Sequence, residues 1–286
     1  MESLLELCDN ILASPDEEDR WLVLGDALLD RGEPRGELIL LTSAEAVRLR
    51  VRCQAPASAE KPRVLHLGSL ESVVQRMRIA ELTDEASWTR ALRLAPSQTN
   101  WRIGWHRGAV ERLSFDEASA VDVVEVLHQL EGHWAGRLCQ RLRLADVASA
   151  HGAAKTLVQH AGFRRLRALS VGDGPILEEL LVSASNVREL ELHSFVMSES
   201  QLQRLLDAPW LDQLHALTLA VELPPGHAER VADCPRLRNL RRLDGPFKRE
   251  ILESSPHLSN CRFCVWMPSL LKCRQARRTS RMLAAV

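Results

Sequence analysis

An apolar pattern of the form L-x-x-L-x-L recurs at least six times between Val110 and Leu243, and it constrains the fold of this 286-residue chain more than any other feature. The second apolar position falls at residues 113, 142, 169, 190, 217 and 240, so successive occurrences lie 29, 27, 21, 27 and 23 residues apart. Apolar residues at alternate positions are typical of a strand that buries one face. The regular return of the pattern indicates that one strand-containing unit stacks against further copies of itself.

The segments between these strands carry apolar residues at helical spacing, as Val123, Leu127 and Leu130 do in the first of them. Units of roughly 20–29 residues with one strand and one helix are those of leucine-rich repeats. We therefore expect an α/β fold in which residues 96–265 form a leucine-rich-repeat solenoid of about six to seven repeats. Its parallel strands should line the concave side and its helices the convex side. The Asn that usually follows the pattern in such repeats is absent, which predicts irregular repeats.

The first 40 residues predict helices. The run Ser14-Pro15-Asp16-Glu17 fits a capping box, with Ser14 as the N-cap and Glu17 three residues after it. The helix that follows should end at Arg31-Gly32, where Gly can adopt the left-handed conformation. We expect it to bury one stripe of residues, namely Trp21, Leu22, Gly25, Leu28 and Leu29.

The run from Leu22 to Ile39 resembles the repeat-companion domain, a short module that begins many myxobacterial and planctomycete proteins and often precedes leucine-rich repeats. The positions that match are Asp26, Gly32, Pro34, Gly36, Glu37 and Ile39, whereas Leu24 and Ala27 replace the usual aromatic residues. The resemblance implies a bacterial protein of this architecture and no particular reaction. We expect Asp26 and Glu37 to hold the helix–turn–helix by hydrogen bonds to backbone N–H groups, not to act as catalytic acids.

The sequence predicts three parts. Residues 1–95 should form an all-helical domain and cap, interrupted by a proline-containing linker at 54–62 and resuming at helical spacing from 65 to 91. The leucine-rich-repeat solenoid occupies 96–265, and 266–286 is a basic tail. Trp88, Trp101 and Trp105 should bury the open end of the solenoid, because a terminal repeat needs a cap. A ligand platform is the alternative interpretation of this tryptophan cluster.

Charge is segregated although the formal net charge is only −1. Residues 1–37 contain 11 acidic and 3 basic side chains, and residues 236–286 contain 12 basic and 3 acidic ones. Neither a signal peptide nor a run of roughly 18 apolar residues is evident, so no transmembrane segment is expected. Seven scattered cysteines, an odd number, do not predict a disulfide framework. We therefore expect a cytoplasmic protein.

The strand pattern also predicts a binding surface. Residues between the buried positions of each strand face outward, and in a solenoid these outward residues line the concave side. The side chains that this argument assigns to partner binding are Arg112, Arg141, Arg143, Glu189, Glu191, His193, Thr218 and Arg241.

The sequence holds no nucleotide-binding, zincin or hydrolase motif, and we predict no catalytic residue and no cofactor. One candidate metal site is the set His257, Cys261, Cys264 and Cys273, whose soft ligands suit zinc. The alternative is that Leu258, Cys261 and Phe263 belong to a degenerate seventh repeat, with Cys261 in the core.

Two functions follow from these features. The first is a non-enzymatic protein–protein interaction or scaffold module that binds a protein partner, of unknown identity, through the concave face. The alternative is binding of nucleic acid or another polyanion by the basic tail, through Lys272, Arg274, Arg277, Arg278 and Arg281. A solvated terminal segment is the simpler interpretation of that tail. The oligomeric state is not predicted.

Overall fold

The chain is a mixed α/β protein with a mostly parallel sheet. The computed structural model describes residues 3–43, 78, 82, 92, 100–145, 147–148, 151–183, 186–224 and 226–265. They fall into two compact units. The first takes its described residues from Met1–Pro96, Ile103–Arg112 and His128–Cys139, and the second from Ser97–Arg102, Leu113–Leu127 and Gln140–Val286.

The first unit contains helix α1 (Leu4–Ala13), helix α2 (Glu18–Leu29), helical residues 35–43 (α3) and a short helix at Trp134–Arg137. Burial of apolar side chains from all four stabilises it. The buried core comprises Leu7, Cys8, Ile11, Trp21, Leu24, Leu28, Ile39, Ala109, Trp134, Ala135 and Leu138.

The predicted capping box at Ser14 is wrong, and the capping box lies at Ser3 instead. The Ser3 hydroxyl accepts the N–H of Glu6, and the Glu6 carboxylate accepts the N–H of Ser3 at 2.6 Å. The Ser14 N–H is already used at the other end of α1, where it donates to the carbonyl of Ile11. Helix α2 therefore begins later, with Glu17 as an N-cap that makes no side-chain cap bond.

The buried stripe of α2 also differs from the predicted one. Trp21, Gly25 and Leu28 are buried as expected, but Leu24 is fully buried where Leu29 was expected, and Leu29 is 41% exposed. Leu22 is half-buried. The buried positions thus follow i, i+3, i+4 and i+7, the spacing of a single helix face. The predicted helix end is confirmed, with Gly32 at φ +71°.

Close backbone contact explains one glycine of the run that resembles the repeat-companion domain. A Cβ atom on Gly36 would lie 2.4 Å from the carbonyl oxygen of Gly25 and 2.8 Å from the backbone nitrogen of Leu29. No side chain fits at that distance, so Gly36 lets the start of α3 lie directly against α2.

Within the described residues the sheet has nine strands, in the order β1-β2-β3-β5-β6-β7-β8-β9, with β4 paired to β2. A two-residue turn at Arg107 and Gly108, both with positive φ, joins the first two strands. The pairs β2·β4 and those from β3·β5 to β8·β9 are parallel. The strands are β1 (Asn100–His106), β2 (Ala109–Ser119), β3 (Arg141–Leu144), β4 (Val147–Ala148), β5 (Ala168–Val171), β6 (Glu189–Val196), β7 (Ala216–Glu222), β8 (Arg242–Gly245) and β9 (Arg262–Val265).

The strand register confirms the predicted apolar positions from β3 to β7. Six residues share one level of the sheet, each facing its neighbours on adjacent strands, namely Leu142, Leu169, Leu190, Leu217, Leu243 and Phe263. For the sixth repeat of the apolar pattern, the sequence predicted Leu240 at this level of the sheet. That prediction is wrong, because Leu243, three residues later, pairs with Leu217. Leu240 is buried, but it lies at the end of the 3₁₀ turn Pro235–Asn239 and not in a strand. The strand begins after it, where the N–H groups of Arg241 and Arg242 both donate to the carbonyl of His215.

Helices connect the strands at the predicted places. They are α4 (Ala120–Glu131), α5 (Trp134–Arg137), α6 (His151–Gln159), α7 (Ala161–Arg164), α8 (Pro175–Val182), α9 (Glu199–Asp207), α10 (His227–Ala232) and α11 (Arg249–Glu253). Their apolar residues are buried as predicted, for example Leu157 in α6 and Leu202 in α9. Among the described residues, no helix is long and apolar enough to cross a membrane.

Candidate binding face and cleft

Outward side chains of six parallel strands lie in two rows, which we call the outward face. The first row is Arg141, Ala168, Glu189, Ala216, Arg242 and Arg262. The second row, two residues further along each strand, is Arg143, Ser170, Glu191, Thr218, Asp244 and Cys264. Each row thus has basic side chains on β3 and acidic ones on β6.

Small residues in the first row allow the charged side chains on either side of them to approach each other across the intervening strand. Ala168 separates Arg141 from Glu189, and the guanidinium of Arg141 lies 3.5 Å from the Glu189 carboxylate. Ala216 occupies the equivalent place between Glu189 and Arg242. The sheet spacing of about 4.8 Å per strand makes such a bridge possible only for long side chains.

The second row is more covered. Ser170 and Thr218 are each 8% exposed. The Thr218 hydroxyl donates to Oδ2 of Asp244 at 3.4 Å, and the Arg242 Nε lies 3.2 Å from the same oxygen. The Ser170 hydroxyl has no hydrogen-bond partner among the described residues. Thr218, Asp244 and Arg242 are therefore bonded to one another, whereas the Ser170 hydroxyl is buried.

The structure sorts the predicted partner-binding residues by exposure. Arg141 and Arg143 are exposed, and Glu189 and Glu191 are half-buried on the outward face. Arg112 is also exposed, but it belongs to the part of β2 in the first unit. His193 and Thr218 are buried, at 6% and 8% exposure.

Arg241 does not lie where the sequence predicted. With Leu243 at the core position, Arg242 and Asp244 face outward on β8, and Arg241 precedes the strand. Arg262 on the next strand completes the first row. Sequence analysis missed Arg242 and Asp244 because it placed the sixth strand too early, and it did not assign Arg262 to the face.

A cleft lies at the carboxyl ends of β3, β5 and β6 in the second unit, with a volume of about 150 Å³. Its lining includes Leu144, Val171, Ile176 and the imidazole of His193, all of which are buried. The rest of the lining is Val147, Gly172, Asp173, Gly174 and Pro175. The segment 172–175 between β5 and the helix Pro175–Val182 borders the cleft, with Gly174 at φ +130°, and the sequence did not predict the cleft.

A buried ion pair stabilises the turn between β1 and β2 within the first unit. Arg107 and Glu18 are each 11% exposed, and their side chains approach to 2.7 Å. Arg107 also donates to the Ser43 hydroxyl at 3.2 Å, and its guanidinium lies 5.2 Å from the centre of the Trp21 ring. These contacts hold Arg107 at φ +52°, a conformation unusual for a residue other than Gly.

The helix-turn-helix of the first unit is held by arginines, and this corrects a prediction. Glu37 bonds no backbone N–H of the described residues; both of its carboxylate oxygens accept from the guanidinium of Arg78. Asp26 is exposed and bonds no backbone N–H of the described residues. Within the turn, buried Arg35 donates to Glu33 and lies 4.7 Å from the centre of the Trp134 ring.

The candidate zinc ligands do not converge in the described part of the chain. His257, Cys261 and Cys264 are not close enough to share one ion, and Cys273 lies outside the described residues. Cys261 is not in the core as the seventh-repeat alternative proposed, because Phe263 pairs with Leu243 and leaves Cys261 half-buried before β9. Burial, with the nearby charge of Asp244, raises the pKa of the Cys261 thiol to about 11.

Four further predictions fall partly or wholly outside the described residues. The basic residues 272, 274, 277, 278 and 281 of the tail are among them, as are Trp88, the linker at 54–62 and most of the predicted helix at 65–91. Trp101 and Trp105 are described and are only half-buried. Trp105 packs against the core of the first unit.

Comparison with protein-family models, with curated proteins and with solved structures finds no match to this chain. The resemblance to the repeat-companion domain therefore stays a prediction from the residues that carry it.

Proposed function

We propose that the chain is a non-enzymatic, cytoplasmic interaction or scaffold protein that binds a protein partner through its outward face. In this proposal the parallel strands form a leucine-rich-repeat solenoid, the outward face is its concave side, and the N-terminal helices are a repeat-companion domain. Parallel strands at matching register, each followed by a helix, support the solenoid. The concave strand surface is the usual binding surface of such proteins.

One observation carries the functional part of the proposal. The outward face presents long charged side chains in a fixed order, separated by the small residues Ala168, Ser170 and Ala216. Arg143 and Glu191 lie on this face without an ion pair or hydrogen-bond partner among the described residues. Arginines with adjacent acids offer a partner specific hydrogen bonds and charge complementarity, which fix orientation and suppress wrong partners.

Affinity purification from the source organism tests the proposal. The intact protein is compared with a variant in which Arg141, Arg143, Glu189 and Glu191 are changed to Ala, which leaves the net charge unchanged. The control variant changes two basic and two acidic exposed residues away from the outward face, Lys155, Arg238, Glu229 and Asp233, to Ala. Circular dichroism establishes that all three proteins are folded.

We expect the intact protein and the control variant to recover the same proteins, and the outward-face variant to lose them. If the outward-face variant recovers the same proteins as the other two, partner binding does not use this face.

A further inference from the structure

The residues that immediately precede strands β5 to β8 form a row of basic side chains, which we call the basic edge. The row consists of Arg167, Arg188, His215 and Arg241. Backbone hydrogen bonds join its members in order, from the N–H of each to the carbonyl of the one before, at 2.7, 2.7 and 2.8 Å. Neighbouring strands lie about 4.8 Å apart, so four basic side chains follow one another at that spacing.

Two guanidinium groups of the basic edge carry a charge that no acid of the chain neutralises. Arg188 and Arg241 are exposed, and neither forms an ion pair within the described part of the chain. Arg188 donates to the carbonyl oxygen of Gln213 at 3.3 Å, and this neutral acceptor directs its side chain along the edge. Like charges on neighbouring strands destabilise each other. The edge is therefore suited to a ligand that brings negative charge.

The imidazole of His215 lies between these two arginines and responds to both of them. Burial lowers the pKa of His215 below its ordinary value, and the positive charges of Arg241 and Arg188 lower it further. Glu189 acts in the opposite direction but has the smallest effect of the four. Positive charge thus dominates around the imidazole, and an anion bound at the edge would raise the pKa of His215.

The surroundings favour the carboxylates of a peptide over the phosphates of a nucleic acid. No Phe, Tyr or Trp lies within two residues of the basic edge along the chain, so bases would find no aromatic ring there to stack on. Two acids, Glu189 after the edge and exposed Asp212 in the turn before β7, would repel a continuous run of phosphates. A peptide can place its carboxylates away from these acids, and guanidinium groups bind carboxylates through two parallel hydrogen bonds.

We propose that the basic edge binds an acidic peptide segment of the protein partner. The row spans three strand spacings, or about 14 Å, which about five residues of an extended segment would cover. This inference rests on the proposed function, because it names the chemistry of the partner that the outward face would bind. The first row of that face begins at the next residue of each strand, so one partner can contact both surfaces.

Titration of the full chain with short probes tests the edge without the partner. The probes are a hexaglutamate peptide, a hexaglutamine peptide, both acetylated and amidated, and a thymidine oligonucleotide of the same length. Nuclear magnetic resonance follows the ring signal of His215 in histidine-labelled protein, with His215→Gln used to assign it. At low salt we expect hexaglutamate to shift this signal with a Kd on the order of 1 mM or tighter, and the other two probes to bind at least about fivefold more weakly. Bound hexaglutamate should also raise the pKa of His215.

A pair of matched variants separates the edge from the charge of the whole chain. Arg188→Gln together with Arg241→Gln removes two charges of the edge and should weaken hexaglutamate binding about fivefold or more. The control, Lys155→Gln together with Lys248→Gln, removes two exposed charges from α6 and the start of α11, and should bind as the unaltered protein does. Circular dichroism establishes that both variants are folded.

The inference is overturned if hexaglutamate leaves the His215 signal and pKa unchanged, if hexaglutamine binds as well, or if the edge variant binds hexaglutamate as tightly as the control. An oligonucleotide that binds as tightly as hexaglutamate would also overturn it and would assign the edge to nucleic acid. The outward-face variant changes no residue of the basic edge, so the two proposals fail separately. Hexaglutamate binding at the edge together with unchanged partner recovery by the outward-face variant would overturn the proposed face and leave the edge standing.

Discussion

The guanidinium of Arg141 on β3 reaches across the methyl group of Ala168 and lies 3.5 Å from the carboxylate of Glu189 on β6. Both side chains are more than 40% exposed, at 45% and 41%, so water screens their attraction. Exposed pairs of this kind contribute about 0–1 kcal/mol. The bridge therefore serves to order the charged groups of the outward face more than to stabilise the fold.

Arg141→Ala and Glu189→Ala should each change the free energy of unfolding by less than about 1 kcal/mol. Leu142→Ala, one residue away on the same strand, should lower it by about 2–5 kcal/mol, because Leu142 is buried and its loss leaves a cavity. Urea unfolding measures all three variants. If Arg141→Ala or Glu189→Ala lowered the free energy of unfolding as much as Leu142→Ala does, the bridge would have to be counted as part of the core.

Gly36→Ala should destabilise the first unit by about 1–3 kcal/mol or more, since the added Cβ meets backbone atoms of α2 that cannot move aside. Gly132→Ala is the matched control, because the nearest atom to its Cβ would be 3.8 Å away, and it should stay within about 0.5 kcal/mol of the original protein. Hydrogen exchange of the amides in α2 provides the measurement. Equal protection in the two variants would contradict the close packing of α2 and α3.

The sequence predicted most strands and helices because their signals are local. Alternating apolar and polar residues predict the strands β3, β5, β6 and β7, and apolar residues at helical spacing predict the helices between them. It failed at the sixth strand because Leu237, Leu240 and Leu243 are all apolar and three residues apart, so only pairing with Leu217 decides which one enters the sheet. The same ambiguity affected the first helices, where both Ser3 and Ser14 are followed by a Glu three residues later.

The candidate site was less predictable than the fold. Alternation predicts which face a side chain lies on and not how much of it neighbouring residues bury. His193 and Thr218 were therefore expected to be exposed, but both are buried. The cleft collects residues from three strand ends and the turn after β5. Such residues are distant in the sequence, and no motif links Leu144 to His193.

Arg107→Ala should lower the free energy of unfolding by about 3–5 kcal/mol, because Glu18 would keep a buried charge after losing this ion pair. Adding Glu18→Gln to the same chain should recover part of the loss. Arg20→Ala, which removes an exposed pair with Glu17, is the control and should cost less than about 1 kcal/mol. Urea unfolding followed by tryptophan fluorescence tests the series; a double variant no more stable than Arg107→Ala would show that the charge left at Glu18 is not the cause of the loss.

Protonation of His133 should make the first unit less stable in acid. Its Nδ1 accepts the N–H of Ala135 at 3.1 Å and so caps the helix Trp134–Arg137, which requires that Nδ1 carry no proton. Burial, and then the positive charge of Arg35, lower the pKa of His133 below its ordinary value.

The sign of the pH dependence follows from that direction. The unfolded chain binds a proton at His133 near pH 6.5, whereas the folded chain binds it only at lower pH. The stabilisation is therefore complete above about pH 6.5 and is lost as the pH falls through the folded pKa.

His133→Asn keeps an oxygen for the cap but does not titrate. In urea unfolding from about pH 8 to pH 5, the stability of the original protein relative to His133→Asn should therefore decline as the pH falls below about 6.5. Parallel curves for the two proteins would mean that His133 does not couple protonation to folding.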